Sequence, residues 1–64
     1  MKVRDVNYKE ITIGCTVDVP KIEDNVNYEF RGTVVGFHGD YVVVEDMEEE
    51  SFCVEAELLE VVED

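Results

Sequence analysis

"GTVVGFHGDYVVVED", residues 32–46, decides the fold of this chain, because two valine-rich runs lie on either side of a Gly-Asp pair. Apolar side chains that alternate with other residues along a short run are typical of a half-buried β-strand. A glycine and an aspartate between two such runs are typical of a tight turn. The stretch therefore predicts a β-hairpin, with strands at residues 30–37 and 41–46.

The faces of these two strands predict how they pair, because a slip of one residue moves every side chain to the opposite face. A three-residue loop at residues 38–40 pairs Phe37 with Tyr41 and keeps the two faces consistent. A two-residue loop would instead pair Gly36 with Val43 and mix the faces. We therefore expect an odd-numbered loop, with its glycine or its aspartate at positive φ.

Two glycines indicate which face of the hairpin is buried. Gly32 and Gly36 flank Val34, and glycines at this spacing allow the sharp bending that closes a small barrel. The glycine face is therefore predicted to be the core face. The opposite face is predicted to present four apolar side chains to a partner: Val35, Phe37, Tyr41 and Val43.

A first strand is predicted at residues 13–19, and it ends at Pro20 because proline cannot donate a ladder hydrogen bond. Its core face would carry Ile13, Cys15, Val17 and Val19. Residues 21–28 contain Asp and Asn turn formers and predict a long loop. Residues 1–10 form an N-terminal arm or short strand before the main domain, residues 11–64. Three residues of this arm are expected to pack along the domain: Val3, Val6 and Tyr8.

The last third of the chain predicts two more strands. Phe52 and Val54 alternate inward around Cys53, residues 55–58 allow one 3₁₀ turn, and residues 59–62 form the last strand. The run of three glutamates before them is interpreted as a solvated turn. Five short strands separated by turn residues indicate an all-β fold, a small barrel or a sandwich.

The charge of the chain is strongly acidic and unevenly distributed. There are 17 acidic and 5 basic residues, and residues 32–64 hold eleven of the acids with no lysine or arginine. Binding to a phosphate backbone requires basic residues that displace counterions, so direct nucleic-acid binding is not expected. The charge favours cationic partners or simply solubility.

The 64-residue length predicts one domain of marginal stability, because a chain of this size buries about 60% of its unfolded surface. Cys15 and Cys53 have neither CxxC spacing nor a histidine pair beside them, so no zinc site is expected. Two reduced thiols are expected, and one disulfide between an early and a late strand is the alternative. The charged N-terminus and the lack of long apolar runs predict a cytoplasmic protein with no membrane contact.

The order of these elements resembles that of the SH3-like barrels, in particular the Tudor- and KOW-type members. The matching segments are "IGCTVDV", "FRGTVVGFHGDYVVVED" and "FCVEAELLEV", and the likeness covers residues 11–62. It implies a five-stranded SH3-like barrel with a 3₁₀ turn before the last strand. Small barrels share this pattern without sharing a function.

The two types imply different ligands. KOW domains imply nucleic-acid or ribosome contact through basic residues, which residues 32–64 lack. Tudor domains imply recognition of methylated lysine or arginine by an aromatic cage. The positions that match such a cage are Tyr28, Phe37, Tyr41 and Asp46, and their alternative role is packing at the rim or contact with a second subunit.

Catalysis is not expected from this sequence. The single histidine, His38, lies at the hairpin tip, and no nucleophile–base pair can be assembled around it. Asp46, Glu48 and Glu50 alternate like calcium ligands, but no EF-hand spacing accompanies them. Weak divalent-ion binding is an alternative to the solvated turn. We predict no catalytic residues, no metal site and no cofactor.

Three functions are compatible with these features. The first is a protein-interaction module that presents the outer face of the hairpin to another protein or to a second copy of itself. The second is an acidic decoy that mimics a nucleic-acid surface and binds a basic protein. The third, implied by the Tudor resemblance, is a reader of methyl-lysine or methyl-arginine peptides.

Overall fold

The computed structural model describes residues 3–21 and 29–62, and its main element is one five-stranded antiparallel sheet. The strands are β1 (Thr16–Val19), β2 (Phe30–His38), β3 (Tyr41–Glu45), β4 (Ser51–Glu55) and β5 (Glu60–Val61), with a 3₁₀ turn, η1, at Ala56–Leu58. The strand order is β4-β3-β2-β1-β5. The all-β prediction is confirmed, but within the described residues the sheet is open, since β4 and β5 do not pair.

The hairpin of β2 and β3 differs from its predicted register at the tip. Thr33 opposes Glu45, which is the register that pairing Phe37 with Tyr41 would give. Nearer the tip, however, Gly36 opposes Val43 and His38 opposes Tyr41 across a two-residue turn. The prediction of a three-residue loop was therefore wrong. The register shifts by one residue between Val34 and Gly36.

A β-bulge at Val35 reconciles the two-residue turn with a consistent core face. The bulge adds one residue to β2 and so shifts the pairing by one position. On the side of the bulge away from the turn, core-facing residues of β2 therefore again lie opposite core-facing residues of β3. Gly39 has φ +62° at the first central position of the turn, where type II′ turns use glycine. The prediction of positive φ in this loop is confirmed at Gly39.

The core lies on the predicted face of the hairpin. Among the described residues it contains eight buried apolar side chains: Ile11, Val17, Val19, Val34, Val42, Val44, Val54 and Leu59. Gly32 lies among them because no side chain fits there. A Cβ at this position would lie 2.5 Å from Val44 Cγ1 and 2.8 Å from the carbonyl oxygen of Glu45. Gly36 has open space around it, so the argument that both glycines face the core holds only for Gly32.

The start of β1 differs from the prediction, whereas the predicted 3₁₀ turn is present. β1 begins at Thr16 rather than at residue 13, because Gly14 adopts φ +95° in a turn that leaves Ile13 66% exposed. At the other end of the chain, η1 separates two adjacent leucines. Leu58 stays 43% exposed while Leu59 is fully buried, so the predicted 3₁₀ turn determines which leucine enters the core.

The N-terminal arm folds back on itself and closes one edge of the sheet. The N–H of Ile11 donates to the carbonyl of Val3 (2.8 Å), and residues 5–9 form the turn between them. Val3 packs against the core, whereas Val6 and Tyr8 are 54% and 80% exposed, contrary to the expectation that all three would pack. The two ends of the arm therefore pack against the core, and the turn between them is exposed to solvent.

Asp5 connects this arm to β5. Its side chain is buried, and Oδ2 accepts the N–H of Val61 at 2.7 Å while Oδ1 accepts the N–H groups of Asn7 and Lys9 at 2.8 and 2.7 Å. Burial alone would raise the pKa of Asp5, but these three donors and the charge of Lys9 lower it below its ordinary value of 3.8. The carboxylate therefore stays ionised inside the protein.

Replacing Gly32 with alanine should destabilise the fold by about 1–3 kcal/mol, because the new methyl group overlaps Val44 and the backbone of Glu45. Gly36→Ala is the matched control, since nothing lies within 4 Å of its added Cβ, and it should change stability by less than about 0.5 kcal/mol. Urea denaturation of both variants measures the difference. Equal effects would contradict the close packing at Gly32.

Asp5→Asn should lower the free energy of unfolding by about 1.5–3 kcal/mol at pH 7, because three N–H donors lose a charged acceptor. Asp18→Asn, which breaks an exposed ion pair with Arg31, should cost no more than about 1 kcal/mol. Chemical denaturation compares the two.

The Asp5 contribution should also depend on pH. A lowered folded-state pKa stabilises the protein above pH 3.8, and this stabilisation is lost as the pH falls through the folded pKa. The stability difference between wild type and Asp5→Asn should therefore shrink below pH 3.8. A difference that stays constant down to pH 2 would contradict this role of the carboxylate.

Candidate functional site

The outward face of β2, β3 and β4 carries an exposed apolar cluster. Val43 lies at its centre, half-buried between Gly36 on β2 and Cys53 on β4. The bulged Val35 is 41% exposed and Tyr41, at the start of β3, is 43% exposed. Cys53 is exposed as well. We call Val35, Tyr41, Val43 and Cys53 the outer patch.

Phe37 does not belong to the outer patch, although the sequence grouped it with Val35, Tyr41 and Val43. Beyond the bulge it opposes Val42, which is fully buried, and residues directly opposite each other share a face. Phe37 therefore lies on the core side of the sheet, past the edge of the core, with 41% of its surface exposed. The bulge that corrects the core register is what separates it from the other three residues.

The residues proposed for an aromatic cage are not gathered by the described structure. Tyr28 lies outside the described residues. Tyr41 begins β3 and Asp46 follows its last residue, roughly 17 Å away at 3.4 Å per residue. Phe37 points to the other face from Tyr41. These three residues therefore form no common pocket.

Asp46 instead holds the turn between β3 and β4. Its Oδ1 accepts the N–H groups of Glu48 at 2.8 Å and Glu50 at 3.0 Å, and its own N–H donates to the carbonyl of Glu50 at 2.9 Å. Glu49 takes φ +65° within this turn. The glutamate run thus forms a turn organised by one aspartate. Within the described ranges, no group of three or more His, Cys, Asp or Glu side chains could hold a metal ion.

The histidine and the two cysteines lie in different parts of the structure. His38 ends β2 at the hairpin tip, where it is exposed opposite Tyr41. Cys15 is half-buried against the core and Cys53 belongs to the outer patch, and the two are not joined by a disulfide.

A second exposed surface was missed by the sequence analysis. It lies where the N-terminal arm meets η1 and consists of Val6, Tyr8 and Leu58, which we call the arm surface. The N–H of Val6 donates to the carbonyl of Leu59 at 3.0 Å, and this bond brings the arm beside η1. The signal in the sequence is the set of apolar residues within residues 1–10, which predicts packing against the domain rather than exposure.

Comparisons with known proteins give no relative for this chain: no family model, no curated protein and no solved structure matches it. Within the described part of the chain, no helix has the length and apolar character to cross a membrane. The function is therefore inferred from the two surfaces themselves.

Asp46→Ala should destabilise the protein by about 1–2 kcal/mol, because the N–H groups of Glu48 and Glu50 lose their acceptor. Glu48→Gln removes the same charge from the acidic turn without removing this acceptor, so it serves as the control. Thermal unfolding should separate the two variants by several degrees. If both variants unfold at the same temperature, Asp46 does not organise the turn.

Proposed function

We propose that this chain is a non-catalytic protein-binding module whose partner docks on the outer patch. The observation that carries this proposal is the exposure of Val35 and Tyr41 around Val43 on a sheet face that is otherwise polar. Rigid apolar side chains on a regular sheet lose little conformational freedom on binding, and their burial gives the larger part of the affinity. Contiguous exposed apolar side chains of this kind mark interaction sites.

The charge favours a basic partner over a second copy of the chain. The net charge is −12, and residues 32–64, which include β3 and β4, hold eleven acids and no lysine or arginine. Two copies that meet through the same acidic surface repel each other, whereas a cationic protein is attracted. The same charge supports the second candidate, a decoy that occupies the nucleic-acid cleft of a basic protein. The separation of Tyr41, Phe37 and Asp46 gives no support to a methyl-peptide reader.

We also propose that the fold is a variant of the SH3-like barrel of the Tudor and KOW type. The support is the element order: a first strand, a tight central hairpin, a fourth strand, and a 3₁₀ turn before a short last strand that pairs with the first. The proposed protein-binding function does not depend on this fold assignment, because small barrels share a fold without sharing a function.

The experiment uses two charge-matched variants. Val35→Glu places a carboxylate in the outer patch, whereas Met47→Glu places one at a 96% exposed side chain in the turn between β3 and β4. Proteins retained from a cell lysate by the immobilised chain are identified by mass spectrometry, purified, and titrated by calorimetry against wild type and both variants.

Val35→Glu should weaken binding at least tenfold, as expected when a charge enters the centre of an interface, and Met47→Glu should leave it within about twofold. Titration at low and high salt then distinguishes the two candidates, since a decoy depends on charge and loses most of its affinity in high salt. Equal binding by both variants would reject the outer patch. A dimer that persists in high salt, measured by sedimentation equilibrium, would replace the basic partner with a second copy.

A further inference from the structure

Tyr8 is held in an unfavourable backbone conformation while its side chain is displayed to solvent. Its φ is +64°, in the left-handed region that bulky residues rarely adopt, and 80% of its surface is exposed. Glycine or asparagine would occupy this position at lower cost. The cost of this backbone conformation is not offset by burial of the aromatic ring. Backbone outliers of this kind cluster at functional sites.

The surrounding hydrogen bonds fix the turn that carries Tyr8. The N–H of Tyr8 donates to the carbonyl of Asp5 at 3.1 Å, and Nη1 of Arg4 donates to the carbonyl of Tyr8 at 2.8 Å. The N–H of Asp5 donates to the carbonyl of Lys9 at 2.9 Å, which closes the turn. The tyrosine is therefore displayed from a rigid support.

The arm surface borders two grooves. Val6 and Leu58 line both of them, a groove of about 510 Å³ that also contacts Tyr8, and a groove of about 560 Å³ that continues to Pro20 and Phe30. Val6 is 54% exposed and Leu58 is 43% exposed. Together they form an apolar track along the arm and η1.

The rim of the second groove is predominantly acidic, because Asp18, Glu29 and Glu60 border it together with Arg31. At the first groove Glu57 lies with Arg4 and the buried Asp5. Of the two arginines at the rims, Arg4 is hydrogen-bonded to the carbonyl of Tyr8 and Arg31 is paired with Asp18 at 2.9 Å. An apolar track with carboxylates beside it is complementary to a segment that carries both apolar and cationic side chains.

We propose that the arm surface is a second docking site, and that it binds an extended protein segment in which apolar residues alternate with lysine or arginine. The apolar side chains contact Tyr8, Val6 and Leu58, and the cationic side chains face the acidic rim of the second groove. This site is distinct from the outer patch. The proposal rests on the strained Tyr8 and on the grooves beside it. It can therefore be tested separately from the proposal for the outer patch.

The test uses Tyr8→Asn, which removes the ring while suiting the left-handed backbone. Ile13→Asn is the control, because Ile13 is also an exposed apolar residue in a turn and borders neither groove. The probe is a capped octapeptide of alternating lysine and leucine, titrated to millimolar concentration and followed by amide chemical shifts. Octalysine tests charge alone, and a capped octapeptide of alternating glutamine and leucine, which is uncharged, tests apolar contact alone.

The lysine–leucine peptide should shift the amide signals of Val6, Tyr8 and Leu58 and bind at least tenfold more weakly to Tyr8→Asn than to Ile13→Asn. Both other peptides should bind at least tenfold more weakly to the wild type. Tyr8→Asn should also raise the melting temperature, since the strain is relieved. Val35→Glu should leave this binding unchanged, which separates the arm surface from the outer patch.

Three results would overturn the proposal. Binding to Tyr8→Asn as tight as to wild type would show that the ring makes no contact. Amide chemical shifts that change only in the outer patch, or that do not change, would show that the peptide does not bind the arm surface. A lower melting temperature for Tyr8→Asn would show that the ring stabilises the fold, and its display would then have a structural cause.

Discussion

The structure depends on one buried carboxylate, that of Asp5. β5 has two residues and pairs with β1 on one side, so the N–H of Val61 on its other side needs an acceptor. Asp5 supplies it across 56 residues of sequence, while its second oxygen closes the turn at residues 5–9. An unprotected edge strand is a template for aggregation, and here the arm covers that edge. A domain too small for a large core thus gains a fixed edge and a fixed arm from a single side chain.

The core of the hairpin was predictable because it follows from alternation and close packing. Val34, Val42 and Val44 point inward in the structure as their period-two spacing predicts, and Gly32 lies where a side chain would collide with Val44. The length of the turn could not be predicted from the alternation of faces, because a bulge at Val35 adds one residue to β2 and allows the shorter loop. Face alternation predicts loop length only when every residue of the two strands is paired. A bulge leaves one residue unpaired, and the residue types give no signal of it.

The surfaces were only partly predictable, for a related reason. Alternation predicts an outward position for Val35, Tyr41, Val43 and Phe37, and this prediction is wrong for Phe37 because Phe37 follows the bulge. The family resemblance implies a ligand-binding role for Asp46, but its carboxylate accepts hydrogen bonds from the backbone of its own turn. Tyr8 was missed because a positive φ at a tyrosine has no sequence signature. Its conformation depends on Asp5, a residue whose burial could not be inferred from a charged N-terminal segment.

The acidic residues also determine which encounters the exposed apolar side chains allow. Glu45 lies two residues from Val43 along β3, roughly 7 Å away, which is within the Debye length of about 8 Å at physiological salt. Glu55 lies directly opposite Tyr41. These charges therefore act on anything that approaches the outer patch, whereas charges on the far side of a molecule 28 × 25 × 18 Å in extent are largely screened. Two copies that face each other through this patch bring like charges together as they exclude water, which raises the repulsion. A cationic surface meets the opposite sign at the same distance, so in the proposed docking on the outer patch these carboxylates favour a cationic partner over a second copy of the chain.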